Sequence, residues 1–240
     1  MQFILSRIDE LIYGVDFDPE RRQGKVIANL TVVHRDDVDG VLEVFRRAIA
    51  AGLSPSHFGT LIEGVELGFG DDEVCICTVC SITIDGVLLK SGIPVNLRFG
   101  GVVEVLERRP VRFTDMLLYE GTTIDPLEVL ISQELTSVTR MMKTGSGAIL
   151  ANMREVPMIA RGMVEERIAD LESAGFSGVL AFGEPNSEVL GVETARDHIG
   201  IVVLGGSNMV AAAMEEGYNL KTDAMSMLID IEEMKHIDEL

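Results

Sequence analysis

The residues best suited to chemistry are few and clustered. Cys75, Cys77 and Cys80 stand in one apolar run as Cys-x-Cys-x-x-Cys. A zinc site needs a fourth ligand and favours paired Cys-x-x-Cys spacings. The histidines His34, His57, His198 and His236 are scattered, with no i, i+3 or i, i+4 pairing. On a strand, positions 75 and 77 face one way and position 80 the other. The expectation is therefore three buried, unreactive thiols and no metal. An odd number of cysteines in one run also argues against a disulfide framework.

Two glycine-rich turns could seat an anion, because backbone N–H groups before a helix attract negative charge. They are Lys143-Thr144-Gly145-Ser146-Gly147 and Gly205-Gly206-Ser207-Asn208. Neither is a P-loop, and no dinucleotide fingerprint is present. The first leads into strand-like sequence and reads as turn geometry; the second opens a helix and is the better seat. Basic residues are scarce, so those in apolar or glycine contexts stand out: Lys90, Arg98, Lys143 and Arg154. A guanidinium fork matches a carboxylate. No Gly-x-Ser-x-Gly elbow, no His-Glu-x-x-His and no suggestive Ser, His and Asp group occurs. These residue types point to binding rather than catalysis.

Elements that could position such groups follow from periodicity. Lys25 to His34, His57 to Gly68 and Glu73 to Asp85 read as strands, with a Gly-Asp-Asp turn at Gly70. Val38 to Ala51 has helical spacing and stops at Gly52. Ile84-Asp85-Gly86-Val87 reads as a tight hairpin, and Phe99 to Val105 as a glycine-led strand. Further on, Gly147 to Glu155, Gly178 to Phe182 and Ile199 to Leu204 suit strands. Ile159 to Ala174 and Met209 to Glu216 suit helices, the latter capped by Ser207 or Asn208.

The order of the first half recurs in the second. Gly24-Lys25-Val26-Ile27-Ala28-Asn29 parallels Gly147-Ala148-Ile149-Leu150-Ala151-Asn152, and Ala51-Gly52-Leu53-Ser54 parallels Ala174-Gly175-Phe176-Ser177. Gly100-Gly101 is matched with Gly205-Gly206, and Phe113-Thr114-Asp115 loosely with Lys221-Thr222-Asp223. An internal duplication is expected near residues 20–120 and 140–235, with a bridge at about 121–139. The fold class expected is α/β (α+β): duplicated αβ units with mixed sheets, packed into one globule over residues 1–240.

Composition narrows the function classes. Acidic residues outnumber basic ones 39 to 20, for a net charge of −19. Duplex binding needs cations against phosphates, so this chain alone should not bind nucleic acid. The basic cluster Arg108, Arg109 and Arg112 reads as a solvated loop. With no Trp and 5% aromatics, stacking surfaces are scarce. No stretch approaches the roughly 20 apolar residues that span a bilayer, and the N-terminus has no signal-peptide pattern. A cytoplasmic location is expected.

Several longer segments carry a resemblance. They include Thr78 to Lys90, Ser91-Gly92-Ile93-Pro94-Val95, Arg98-Phe99-Gly100-Gly101, Arg112-Phe113 and Tyr119 to Glu128. Further on come Thr144 to Ala148, Ala151 to Pro157 and Gly205 to Ala212. Together they resemble the NrpR regulatory domain of archaeal nitrogen-regulatory transcriptional repressors, over nearly the whole chain. The resemblance implies a homodimer that binds the effector 2-oxoglutarate and needs no other cofactor. It also implies a winged-helix DNA-binding segment or partner subunit, which the chain does not itself supply. The chain departs from the family at Gly-Gly-Ser-Asn-Met-Val, where Leu-Asn-Pro is expected. The ligand-binding residues expected are Cys80, Ser81, Arg98, Gly100, Gly101, Arg154, Gly205, Gly206 and Asn208, with the two glycine pairs converging on Arg98 and Arg154. Two other functions compete with a sensor: a structural dimerisation module without ligand, and an enzyme acting on a small 2-oxo acid.

Overall fold

Residues 2–240 are described by a computed structural model. Ten strands form two antiparallel sheets. The strands are β1 (Lys25–His34), β2 (Phe58–Glu63), β3 (Glu73–Val79), β4 (Asn96–Leu106), β5 (Arg109–Leu118), β6 (Gly147–Pro157), β7 (Val179–Phe182), β8 (His198–Leu204), β9 (Lys221–Asp230) and β10 (Lys235–His236). The helices are α1 (Ile4–Gly14), α2 (Val38–Ala50), α3 (Thr83–Lys90), α4 (Pro126–Ser132), α5 (Val138–Thr144), α6 (Arg161–Ser173) and α7 (Asn208–Glu215). The α+β class is as expected. The sheets are not mixed, however: every ladder is antiparallel.

The first sheet has the order β10-β2-β3-β1-β9 and the second β5-β4-β6-β8-β7. Each is built around a strand, a helix and two more strands that are close in sequence: β1, α2, β2 and β3 in one, and β6, α6, β7 and β8 in the other. Each then takes its next strand from the other half of the chain. β4 follows α3 but pairs with β6, whereas β9 follows α7 and pairs with β1. The two halves are thus interlocked by an exchange of strands.

Local reasons for the elements are visible in burial. β1 and β6 are buried on both faces, so they read as near-continuous apolar runs. α2 turns Val38, Val41, Leu42, Phe45 and Ala48 inward, the spacing of one helical face. Two apolar clusters result. One gathers Val26, Ala28 and Leu30 with α1, α3 and α6; the other gathers Ile149, Ala151 and Met153 with α2, α4, α5 and α7.

Several expectations are corrected. Ile84-Asp85-Gly86-Val87 is not a hairpin but part of α3, and the strand before it stops at Val79. The Asp-Gly pair is held helical by burial of the residues around it, and Gly86 packs closely because it has no Cβ. One added there would lie 2.5 Å from Val15 Cβ, so the glycine lets the N-terminal segment pack directly on the helix. Arg109 and Arg112 lie in β5 rather than in a loop. The expected bridge holds α4 and the start of α5, and Lys143 and Thr144 end α5, with Gly145 as its left-handed cap. α1 and β5 were not foreseen.

Candidate functional site

β1 and β6 each carry a buried asparagine, Asn29 and Asn152, where the two halves meet. Two turns face these amides: Cys80-Ser81-Ile82 between β3 and α3, and Gly205-Gly206-Ser207 between β8 and α7. The turns are anchored alike. Cys80 N donates to Ile27 O (2.8 Å) and Gly205 N to Leu150 O (2.9 Å). Thr83 Oγ1 accepts from Ile27 N (3.0 Å), and Asn208 Oδ1 accepts from Leu150 N (2.8 Å). Asn208 Nδ2 also donates to Leu150 O and Gly205 O. By this register Gly205-Gly206 corresponds to Cys80-Ser81. That corrects the expected match with Gly100-Gly101, which lies in mid-strand in β4.

The cleft between the turns is lined by Asn29, Cys80, Ser81, Tyr119, Asn152 and Gly206, with Ser207, Asp125, Leu127 and Met225 around them. It is closed enough to hold about one water molecule. Its polar groups are held in order: Tyr119 Oη donates to Asn152 Oδ1 (2.7 Å), Asn152 Nδ2 to Ser81 Oγ (3.3 Å), and Met225 N to Asn29 Oδ1 (3.0 Å). Gly206 is small for a reason, since a Cβ there would sit 2.5 Å from Asn29 Nδ2.

Arg154 stands two residues beyond Asn152 on the same face of β6 and is wholly buried, as is Asp85 on α3. Its Nε lies 2.7 Å from Asp85 Oδ1. The contact is off the hydrogen-bonding direction, and Arg154 Nη1 and Nη2 and both Asp85 oxygens are buried without a hydrogen-bond partner. Buried charges ordinarily satisfy all their donors, which makes this guanidinium an exception among the buried groups. Burial pushes the Asp85 carboxyl up to about 6 against the opposing pull of Arg154. Burial, then repulsion from Glu128, pushes Asp125 up to about 7. Burial also drives Cys77 and Cys80 up to about 12, so both are neutral thiols at physiological pH.

The expected site residues divide into two groups. Cys80, Ser81, Gly206 and Asn208 meet at or beside the cleft, and Arg154 lies in the same buried cluster. Gly100 and Gly205 do converge, but onto Leu127: a Cβ on either would lie 2.8 Å from one of its methyls. Gly101 makes room for Phe113. Arg98 stands apart, partly exposed, bonded to Glu155 Oε1 (2.7 Å) and to Glu193 O (3.2 Å). Lys90 and Lys143 are exposed at helix ends.

A family model described as NrpR regulatory domains NRD1 and 2 matches residues 1–236. The chain belongs to the NrpR regulatory domain family. Among its relatives, the global nitrogen regulator NrpRI of Methanosarcina mazei is 34% identical over 98% of this chain and 73% of its own length. The global nitrogen regulator NrpR of Methanocaldococcus jannaschii is 29% identical over 98% of this chain, which spans only 40% of that protein. A crystal structure of a nitrogen repressor-like protein from Methanococcus jannaschii is similar in fold, with a TM-score of 0.85 and 27% identity over 99% of both chains. Among the described residues no helix is long and apolar enough to cross a membrane.

Sequence reasoning about this NrpR-type domain overlooked Asn29, Asp85, Tyr119, Asp125 and Asn152. The signal for two of them was present. The parallel segments Gly24–Asn29 and Gly147–Asn152 both end on asparagine, a residue strands seldom carry. Asp85 was hidden by the hairpin reading. Tyr119 and Asp125 come from an irregular segment whose place only packing sets.

Proposed function

We propose that this NrpR regulatory domain is the effector-binding and dimerising part of a nitrogen-responsive repressor, and that 2-oxoglutarate binds in the cleft between its halves. The carrying observation is Arg154, fully buried beside the cleft with Nη1 and Nη2 unpartnered. A carboxylate would complete those donors bidentately. The cleft as it stands is too narrow for a dicarboxylate, so binding must part the two turns. A ligand that prefers the parted state shifts the balance between the two arrangements by its difference in affinity for them. Because each turn opens a helix, α3 or α7, that movement would be passed to both halves of the chain.

A second copy of the chain is the expected partner. β5 is an open sheet edge with Met116, Leu117 and Leu118 exposed, and this supports it. The apolar run Ile199 to Leu204 is buried in the middle of the second sheet and offers no contact. Light scattering at tens of micromolar is expected to give twice the 26.1 kDa chain mass; a monomer mass would remove the dimer. The narrow cleft favours one other reading, a dimerisation module without ligand. Titration calorimetry with 2-oxoglutarate decides between them: heat of binding is expected, and its absence with no thermal stabilisation would leave only the module.

A further inference from the structure

Asp125 lines the cleft at the start of α4, buried, with Oδ1 lacking a hydrogen-bond partner. Among the described residues it is the one carboxyl in the lining, and no Lys, Arg or His lines the cleft with it. Arg154, in the same buried cluster, already faces Asp85. The groups that face Asp125 give its charge no support. Glu128, one turn along α4 and held by Thr222 Oγ1 and Ala224 N, repels it. Tyr119 Oη gives its proton to Asn152 Oδ1 (2.7 Å), so it meets Asp125 as an acceptor only. The Cys80 thiol is neutral. Asn29, Asn152, Ser81 and Ser207, on β1, β6 and the two turns, do not titrate, and β9 contributes only Ala224 and Met225. Such surroundings favour the protonated carboxyl, which can donate to Tyr119 Oη, over the anion.

We infer that an anionic effector enters this cleft together with one proton, held by Asp125, so that the sensor responds more weakly as the medium turns alkaline. The inference rests on the functional reading above and adds a control to it. A carboxylate ligand brought against an ionised Asp125 would place two like charges together, with Glu128 as a third, in a site largely closed to solvent. Protonation of Asp125 removes that repulsion. Burial, then Glu128, holds the free carboxyl at about 7, and a bound anion raises it further. Affinity is therefore full below that pH and falls as pH rises through it. The ligand's own carboxyls titrate near the ordinary carboxylate value of about 4 and stay ionised throughout.

The test is titration calorimetry of the full chain with 2-oxoglutarate at pH 6 and pH 8, in pairs of buffers with different heats of ionisation, which counts the protons taken up. The native chain should bind about tenfold more weakly at pH 8 than at pH 6, with about one proton taken up per ligand at pH 8 and almost none at pH 6. Asp125→Asn should take up no proton and show the same affinity at both pH values. Glu128→Gln keeps the acceptor oxygen for Thr222 and Ala224 but not the charge, so it should move the midpoint of the native pH dependence down. Thermal unfolding confirms that each variant folds, and Glu128→Gln decides if Asp125→Asn does not. No proton uptake by the native chain at pH 8, undiminished uptake in Asp125→Asn, or an unmoved midpoint in Glu128→Gln would overturn the inference while the sensor reading stands. No binding by the native chain at either pH overturns both.

Discussion

At the scale of single residues the cleft is defined by what is missing as much as by what is present. Gly206 sits where its counterpart, Ser81, bears a hydroxyl that accepts from Asn152. Asn29 uses the same volume for its own amide, 2.5 Å from where a Gly206 Cβ would stand. Both asparagines are buried, and each is held by one firm bond to its oxygen. Gly206→Ala should force the Asn29 amide aside, destabilise the fold by about 1–3 kcal/mol as overpacking does, and abolish effector binding. Chemical denaturation and calorimetry on the same variant check both. An unchanged midpoint would show that the turn has slack the geometry does not reveal.

At the scale of elements, side chains at the start of α3 and α7 tie those helices to β1 and β6. Asn208 contributes more than an ordinary cap: it satisfies both the N–H and the C=O of Leu150 and also binds Gly205 O, all in the buried interior. Asn208→Ala strands the Leu150 N–H, while Leu150 O keeps its bond from Gly205 N and Gly205 O its bond from the residue 208 N–H, and the expected cost is about 1–3 kcal/mol for one unpaired buried polar group. Urea unfolding should register it as a lower midpoint at unchanged slope. Thr83 makes the shorter version of the same staple at Ile27, so Thr83→Val should cost less. Helix periodicity alone did not reveal α3. Its eight residues are mostly buried and show no polar stripe, and its Asp-Gly pair mimics a hairpin turn.

At the scale of the whole molecule, charge and strand exchange govern behaviour. With β4 and β9 each completing the other half's sheet, neither half has a full sheet alone, so unfolding is expected as a single transition. Its pH dependence follows from two groups whose carboxyls are raised, by burial above all. Asp85 faces Arg154, Cys80 and Tyr119; Asp125 faces Glu128, Tyr119 and Cys80. The folded state holds their protons more tightly than the unfolded chain does. Their contribution is complete below the ordinary carboxylate range, near pH 4, and is lost as pH rises through about 6 and about 7. Glu63, Glu73, Glu184 and Glu216 are lowered by hydrogen bonds to their cationic partners and act oppositely, losing their contribution in acid. The melting temperature should therefore be higher at pH 5.5 than at pH 8 in the absence of effector, and Asp125→Asn should flatten the difference. A melting temperature that rose with pH in the native chain would contradict the burial of these two carboxyls. The net charge of −19 adds self-repulsion in the same direction.

Sequence alone determined the class of the molecule and most of its strands, because β1, β6 and β8 are apolar enough to be strands in any context that buries them. It also carried the family, through long matching stretches, and it singled out Cys80, Ser81, Arg154 and Gly206, which the fold brings into one buried neighbourhood. Tertiary structure decided which of those groups meet. Arg98 and Arg154 are equally basic on paper, but a bulge in β4 beside Arg98 and its contact with the buried Glu155 take one away, while α3 brings Asp85 against the other. Pairing of β4 with β6 and of β9 with β1 depends on ladder register over more than forty residues of separation, which no local pattern encodes. Arg154 and Asp85 come from different halves of the chain, and only the folded interlock sets them face to face.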